Sequence, residues 1–108
     1  MSNPLRDQIE TQIQDNSIIL FMKGTQQQPM CGFSARVVEI LRHHGTDFKD
    51  INVLTDPQIR VELSALSNWP TIPQLFIKGK LVGGCDIVSE LEARGELGDM
   101  LKEANPTT

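Results

Sequence analysis

The chain has 108 residues, of which 39% are hydrophobic and 22% charged, and its formal net charge is −4. A chain of this length encloses one ordinary globular core, so we predict a single domain over residues 1–108. The sequence contains no run of lysines and arginines, which argues against a nucleic-acid partner.

Apolar segments and cysteines bear on where the protein works. The longest apolar run, Ile18 to Met22, is far too short to cross a bilayer, and no basic leader precedes a long apolar stretch. We therefore expect neither membrane insertion nor secretion. Two cysteines, Cys31 and Cys85, are too few for a disulfide scaffold and favour a reducing compartment, here predicted to be the cytoplasm.

Hydrophobic periodicity and turn residues predict alternating helices and strands that end in a β-hairpin and two helices. The predicted strands cover residues 17–22, 48–53, 74–77 and 81–82. The predicted helices begin near Pro4, Phe33, Pro57, Ile87 and Leu97. This order predicts an α/β fold with a mixed sheet and helices on both faces, and the thioredoxin fold is one architecture that matches it.

Cys31 lies between a predicted buried strand and a predicted helix, in the segment Pro29-Met30-Cys31-Gly32-Phe33-Ser34. Unpaired N–H groups at a helix start stabilise an anion, so we expect a lowered thiol pKa and a thiolate that serves as nucleophile or metal ligand. Most free cysteines are small buried hydrophobes, but one that follows a polar loop and a proline is not placed like a core residue. Ser34 stands where a dithiol oxidoreductase has its second cysteine, so no disulfide can close there.

Four separated motifs resemble those of the monothiol glutaredoxins. They are Phe21-Met22-Lys23-Gly24, Cys31-Gly32-Phe33-Ser34, Trp69-Pro70-Thr71-Ile72-Pro73-Gln74 and Gly83-Gly84-Cys85-Asp86. Four motifs in the right order are far more specific than a lone Cys-x-x-Ser, and the resemblance covers about residues 5–103. It implies the single-domain type of this family and its thioredoxin fold, with a four-stranded mixed sheet flanked by helices on both faces.

The resemblance also implies that Cys31 is the catalytic residue and that a glutathione site lies beside it. Lys23 would face the sulfur and carboxylate region of glutathione, and Arg60 would bind its glycine carboxylate. Without the resemblance, each would be interpreted as an ordinary solvated side chain. Phe33 is a further candidate that would cover the site, and a core contact is an equally good interpretation of it.

Two later segments complete the implied glutathione site. Ile72 would pair its backbone with the cysteinyl part of the ligand beside a cis Pro73, and Thr71 belongs to the same segment. The alternative is a rigid structural turn. Cys85 and Asp86 would hold the γ-glutamyl end at a helix start, although Asp86 could instead be a simple N-cap. For Cys85 we favour a backbone role over a disulfide with Cys31.

A 2Fe-2S cluster usually needs four thiolate ligands, and one accessible cysteine per chain cannot supply them. Two chains and two glutathione molecules can, and similar monothiol glutaredoxins form such a glutathione-bridged homodimer. The resemblance therefore implies cluster storage, transfer and assembly, with Cys31 as the metal ligand. It also implies a BolA-type protein and iron–sulfur recipient proteins as partners.

Two other functions fit the same residues. Cys31 alone could reduce mixed disulfides with glutathione, because a second glutathione can release the first. We rank this enzyme activity second, because the family is generally weak at it. A third interpretation is a redox-sensing adaptor that binds proteins through the Cys31 face without turnover.

Overall fold

A four-stranded mixed sheet forms the centre of the computed structural model, which describes residues 3–105. The strands are β1 (Ile18–Met22), β2 (Lys49–Asn52), β3 (Gln74–Ile77) and β4 (Lys80–Gly83), in the spatial order β2-β1-β3-β4. β1 runs parallel to β2 and antiparallel to β3, which forms a hairpin with β4. With helices on both faces this is the predicted thioredoxin-fold arrangement.

Within the described residues, five α-helices cover the two faces of the sheet. Their bounds are α1 (Pro4–Asp15), α2 (Gly32–His43), α3 (Pro57–Ser67), α4 (Cys85–Ala93) and α5 (Leu97–Ala104). α1 and α3 begin alike, because the side chains of Asn3 and Asp56 each accept a hydrogen bond from a first-turn N–H and a proline follows. One core cluster joins the sheet to α1 and α3, and a second joins it to α2, α4 and α5.

β1 is the central strand of the core, and all five of its residues are buried. Its side chains alternate between the two clusters, with Leu20 on the α2 side and Phe21 on the α1 side. The Phe21 ring packs edge-on against Phe76, with 5.7 Å between the ring centres. The residue that follows β1, Lys23, is therefore fixed in position by a fully buried strand.

Several element boundaries differ from the predictions, and the predicted strands 17–22 and 48–53 each begin one residue later than predicted. β2 ends at Asn52 because the side chain of Asn52 accepts from the Leu54 N–H and starts a 3₁₀ turn over Val53–Thr55. β4 runs from Lys80 to Gly83 because both end residues pair with β3 across the hairpin. α4 begins at Cys85, two residues before the predicted start, with Gly84 as its N-cap.

Residues 3–105 contain no helix that combines the length and the apolar character needed to span a membrane.

Candidate functional site

A cleft of about 440 Å³ opens where β1 ends and where α2 and α4 begin. The structure brings all nine predicted site residues to this cleft, although what they bind stays a prediction. They are Lys23, Cys31, Phe33, Arg60, Thr71, Ile72, Pro73, Cys85 and Asp86. Trp69, Gly84 and Ile87 also line the cleft.

The three additional lining residues had unequal signals in the sequence. Trp69 and Gly84 stand inside two of the four family motifs, which do not by themselves predict a ligand contact for either residue. Ile87 was interpreted only as an apolar residue of the following helix, and nothing in its spacing distinguishes a cleft position from a core one. It is half-buried at the start of α4.

The thiol of Cys31 stands at the N-cap of α2 and is half-buried. The backbone N–H of Ser34 is the main group that lowers the pKa of the Cys31 thiol, and partial burial opposes it. The N–H of Phe33, the charge of Lys23 and the Ser34 hydroxyl also lower this pKa. The predicted thiolate at the helix start is thereby supported by groups from α2 and from the end of β1.

Ser34 is fully buried although it is polar. Its Oγ accepts a hydrogen bond of 3.1 Å from the backbone N–H of Lys23. Because that N–H occupies an acceptor site of the hydroxyl, the hydroxyl proton is left to face the thiolate of Cys31. Ser34 therefore links the end of β1 to the Cys31 sulfur. The sequence predicted only that Ser34 cannot form a disulfide, and it did not predict this role.

The loop from Gly24 to Met30 is closed on itself and held by β2. The Met30 N–H donates to the Lys23 carbonyl over 2.9 Å, which brings the two ends of the loop together. The Asn52 side chain accepts from the Gly24 N–H, and the Asp50 carboxylate accepts from the Gln26 N–H. These bonds place Lys23 and Cys31 side by side at the mouth of the cleft.

A second wall of the cleft is the irregular segment between α3 and β3. It contains the predicted cis peptide bond between Ile72 and Pro73, which is confirmed. The N–H and C=O of Ile72 form no hydrogen bond with any other residue in the range 3–105. Arg60 reaches this wall from α3, where Nη2 lies 3.4 Å from the Pro70 carbonyl oxygen.

The start of α4 closes the third side of the cleft. Its N-cap is Gly84, which has no side chain to satisfy the first N–H groups, so the interpretation of Asp86 as a simple N-cap is wrong. A β-carbon on Gly84 would lie 3.1 Å from the Pro73 carbonyl oxygen, so glycine permits this close approach. Cys85 and Asp86 thus present a helix N-terminus and a carboxylate to the cleft.

Two further predictions concern Phe33 and the cysteines. Phe33 is 62% exposed and Met30 is 69% exposed, so the interpretation of Phe33 as a core contact is wrong. Together they form an apolar rim beside Cys31. Cys31 and Cys85 are both free thiols in this structure, and the Cys85 sulfur lies 4.0 Å from the Ser89 hydroxyl.

The chemistry of the cleft follows from these groups. It combines a thiol with a lowered pKa, two cationic side chains, an unpaired backbone segment and a helix start with an acidic side chain. Such a set can bind an extended ligand with carboxylates at both ends and an amino group at one.

Comparisons with known proteins agree with the sequence motifs. The family model for glutaredoxin matches residues 18–82. A probable monothiol glutaredoxin 2 of Rickettsia felis is 57% identical over 94 residues, which cover 87% of this chain and 90% of that protein.

Solved structures of similar fold include reduced poplar apo GrxS14, with a TM-score of 0.81 and 40% identity over 93% of this chain and 92% of that one. A buckwheat glutaredoxin–glutathione complex has a TM-score of 0.83 and 27% identity over 94% of this chain and 90% of that one. The motifs, the fold and these relatives lead to one conclusion: the chain belongs to the glutaredoxin family, among its monothiol members.

Proposed function

We propose that this chain binds glutathione in the cleft and uses it to carry a 2Fe-2S cluster between two copies of itself. The observation that carries the proposal is the meeting of an anion-stabilised thiol, Cys31, with a cleft of complementary charge and shape. The cluster is cargo in this account, held for delivery to another protein.

The charges of the cleft suit glutathione, a tripeptide with two carboxylates, one ammonium group and a central thiol. Arg60 can form a bidentate contact with the glycine carboxylate, and Lys23 can face the sulfur and carboxylate region of the tripeptide. At the other end, the first N–H groups of α4 suit the γ-glutamyl carboxylate, and Asp86 suits the ammonium group.

The free backbone of Ile72 supports the same orientation of glutathione. Its N–H and C=O, which other described residues leave unpaired, can bond to the cysteinyl residue of the tripeptide as in a short strand. Thr71 and Pro73 flank this position in the cleft wall. The glutathione complex of the similar buckwheat glutaredoxin supports the proposal that this cleft binds the same tripeptide.

Cluster binding follows from counting thiolates. Each copy offers Cys31 at the mouth of the cleft, and each bound glutathione adds one more thiol, so a homodimer supplies the four ligands that a 2Fe-2S cluster requires. Cys31 is suited to this task because its pKa is lowered and the sulfur is only partly covered. The exposed side chains of Met30 and Phe33 give the facing copy an apolar surface beside the cluster.

Ligands that are not part of the chain make the cluster easy to release, which suits a carrier. We therefore include a BolA-type protein and iron–sulfur recipient proteins among the proposed partners. A reducing compartment such as the cytoplasm keeps Cys31 available as a thiolate and supplies glutathione.

One observation favours a second function at the same site. The lowered pKa of Cys31 also suits attack on a glutathionylated protein, with a second glutathione then releasing the first. Ser34 cannot serve as a resolving thiol, so the cycle would rely on glutathione throughout. We rank this monothiol oxidoreductase activity second, and the same experiment separates it from cluster carriage.

The test is anaerobic reconstitution with iron, sulfide and glutathione, followed by visible absorption and size-exclusion chromatography. We expect a coloured dimer from the wild type, and none from Cys31→Ser or when glutathione is omitted. Cys85→Ser is the matched control, which we expect to remain coloured because Cys85 acts through its backbone. A colourless monomer that still turns over glutathionylated substrates would favour the oxidoreductase.

A further inference from the structure

We propose that Gln74 is a positioning residue of the cleft, whose side-chain amide fixes the wall at Trp69–Pro73 so that the Ile72 backbone faces the ligand. Gln74 is the first residue of β3 and is fully buried. Its Nε2 donates to the Trp69 carbonyl over 3.0 Å and to the Thr71 carbonyl over 3.1 Å. The proposal rests on glutathione binding as proposed above.

The geometry uses both amide protons of one side chain. The two carbonyls that Gln74 holds belong to residues on either side of Pro70, so one NH₂ group spans the turn. Residues 69–73 belong to no helix or strand. The carbonyls of residues 69, 70 and 71 are held by side chains. Arg60 contacts the carbonyl of Pro70, and Gln74 binds the carbonyls of the two neighbouring residues.

Core packing alone does not account for an amide at this position. The rest of β3 is Leu75, Phe76 and Ile77, and all three are buried and apolar. Gln74 shares a sheet face with Phe76, and its Oε1 has no hydrogen-bond partner among residues 3–105. A buried amide with one unpaired oxygen stabilises a core less than an apolar side chain of the same size would. The Gln74 side chain therefore contributes mainly by holding the segment 69–73 in place.

The held segment is the irregular wall of the cleft, in which Gln74 binds two backbone carbonyls. Trp69, Thr71 and Ile72 line the cleft, and the backbone of Ile72 is the group proposed to pair with glutathione. Loss of the amide would free two carbonyls and allow this wall to shift, which weakens a contact that depends on alignment. The thiolate of Cys31 is stabilised from α2 and β1, so its reactivity would not change.

The experiment replaces Gln74 by methionine, which keeps the length of the side chain and removes both donors. Glutathione affinity is measured by calorimetry on the reduced protein, alkylation of Cys31 by iodoacetamide is timed, and backbone order at Thr71 and Ile72 is measured by ¹⁵N relaxation. We expect affinity to fall by about tenfold. We also expect lower order at both residues and an unchanged alkylation rate.

Two further variants separate positioning from a general loss of stability. Ile13→Val on α1 removes a methyl group from a buried residue that does not itself line the cleft, and it should leave glutathione affinity at the wild-type level. Gln74→Asn keeps the amide but is one methylene too short to reach both carbonyls, so its affinity should lie between those of the wild type and Gln74→Met.

Wild-type affinity in Gln74→Met, or a loss no larger than in Ile13→Val at matched stability, would overturn the proposal. If the wild type itself does not bind glutathione, the proposed function fails. The relaxation data still decide the role of Gln74 in that case, because unchanged order at Thr71 and Ile72 in Gln74→Met would overturn it without any ligand.

Discussion

The backbone N–H of Lys23 donates a hydrogen bond of 3.1 Å to the hydroxyl of Ser34. This bond joins the end of the central strand to the first turn of α2, on which Cys31 is the N-cap. The hydroxyl also lowers the pKa of the Cys31 thiol, and the Lys23 charge acts in the same direction. Ser34, which cannot form a disulfide with Cys31, is therefore also one of the groups that stabilise its thiolate.

Ser34→Ala should raise the pKa of the Cys31 thiol toward its ordinary value, because one group that stabilises the thiolate is lost. Alkylation of Cys31 by iodoacetamide, measured across a pH series, should then reach half of its maximal rate at a higher pH. The variant should also lose about 1–3 kcal/mol of stability, since the Lys23 N–H loses its acceptor. Ser64→Ala is the matched control, because the Ser64 hydroxyl is buried without a hydrogen-bond partner among the described residues. A pH profile identical to that of the wild type would contradict this role of Ser34.

The stability of the reduced protein should depend on pH through Cys31. The thiol has a lowered pKa in the folded state, so the unfolded state binds more protons between that pKa and the ordinary one. Stability relative to Cys31→Ser should therefore rise as the pH rises through this window, and the gain should be lost as the pH falls below the folded-state pKa. Urea unfolding under a reductant at several pH values measures the difference. A difference that stays constant across the window would contradict the thiolate assignment.

Arg60→Gln should weaken glutathione binding by about tenfold or more, because a charge-assisted contact with a carboxylate is lost. Arg36→Gln changes the same charge at an exposed position of α2, where the partner is Glu39, and it should bind like the wild type. Calorimetry at low and high salt also measures the ionic part of the interaction, which should shrink in Arg60→Gln. Equal affinities of the two variants would remove Arg60 from the proposed site.

Gly24→Ala should destabilise the fold by about 2–3 kcal/mol or more. Gly24 has a φ of +89°, and a β-carbon there would lie 2.5 Å from the Gln28 carbonyl oxygen and 2.7 Å from the Met30 nitrogen. Gly95→Ala is the control, because Gly95 also has a positive φ, of +73°, but open space around it. It should lose only about 1 kcal/mol in the same denaturant titration. Equal losses would mean that the closed loop before Cys31 is not tightly packed at Gly24.

The sequence predicted the local parts of this fold well. Residues 74–77 form a strand with the predicted bounds, because a short apolar run lies between a proline and a turn glycine. Boundaries were missed where local capping decided them, as at Asn52, whose side chain accepts from the Leu54 N–H and ends β2. α4 begins before the apolar residues of its pattern, because Gly84 is its N-cap and Cys85 its first residue.

The candidate site was predictable only as a set of separate motifs. The neighbours of Cys31 in the sequence predict its position at a helix start. The presence of Arg60 and Asp86 in the same cleft depends instead on how α3 and α4 pack on the sheet. Hydrophobic spacing does not contain that information, and the family resemblance supplied it. The buried polar side chains of Ser34 and Gln74 bind backbone partners 11 and up to 5 residues away, which no residue pattern indicates.

The most direct test of the account is native mass spectrometry of the protein reconstituted anaerobically with iron, sulfide and glutathione. We predict one dominant complex of two chains, two glutathione molecules, two iron atoms and two sulfides, which Cys31→Ser does not form. A cluster bound to a single chain, or a dimer whose mass includes no glutathione, would contradict the proposal that the cleft and Cys31 hold the cluster together.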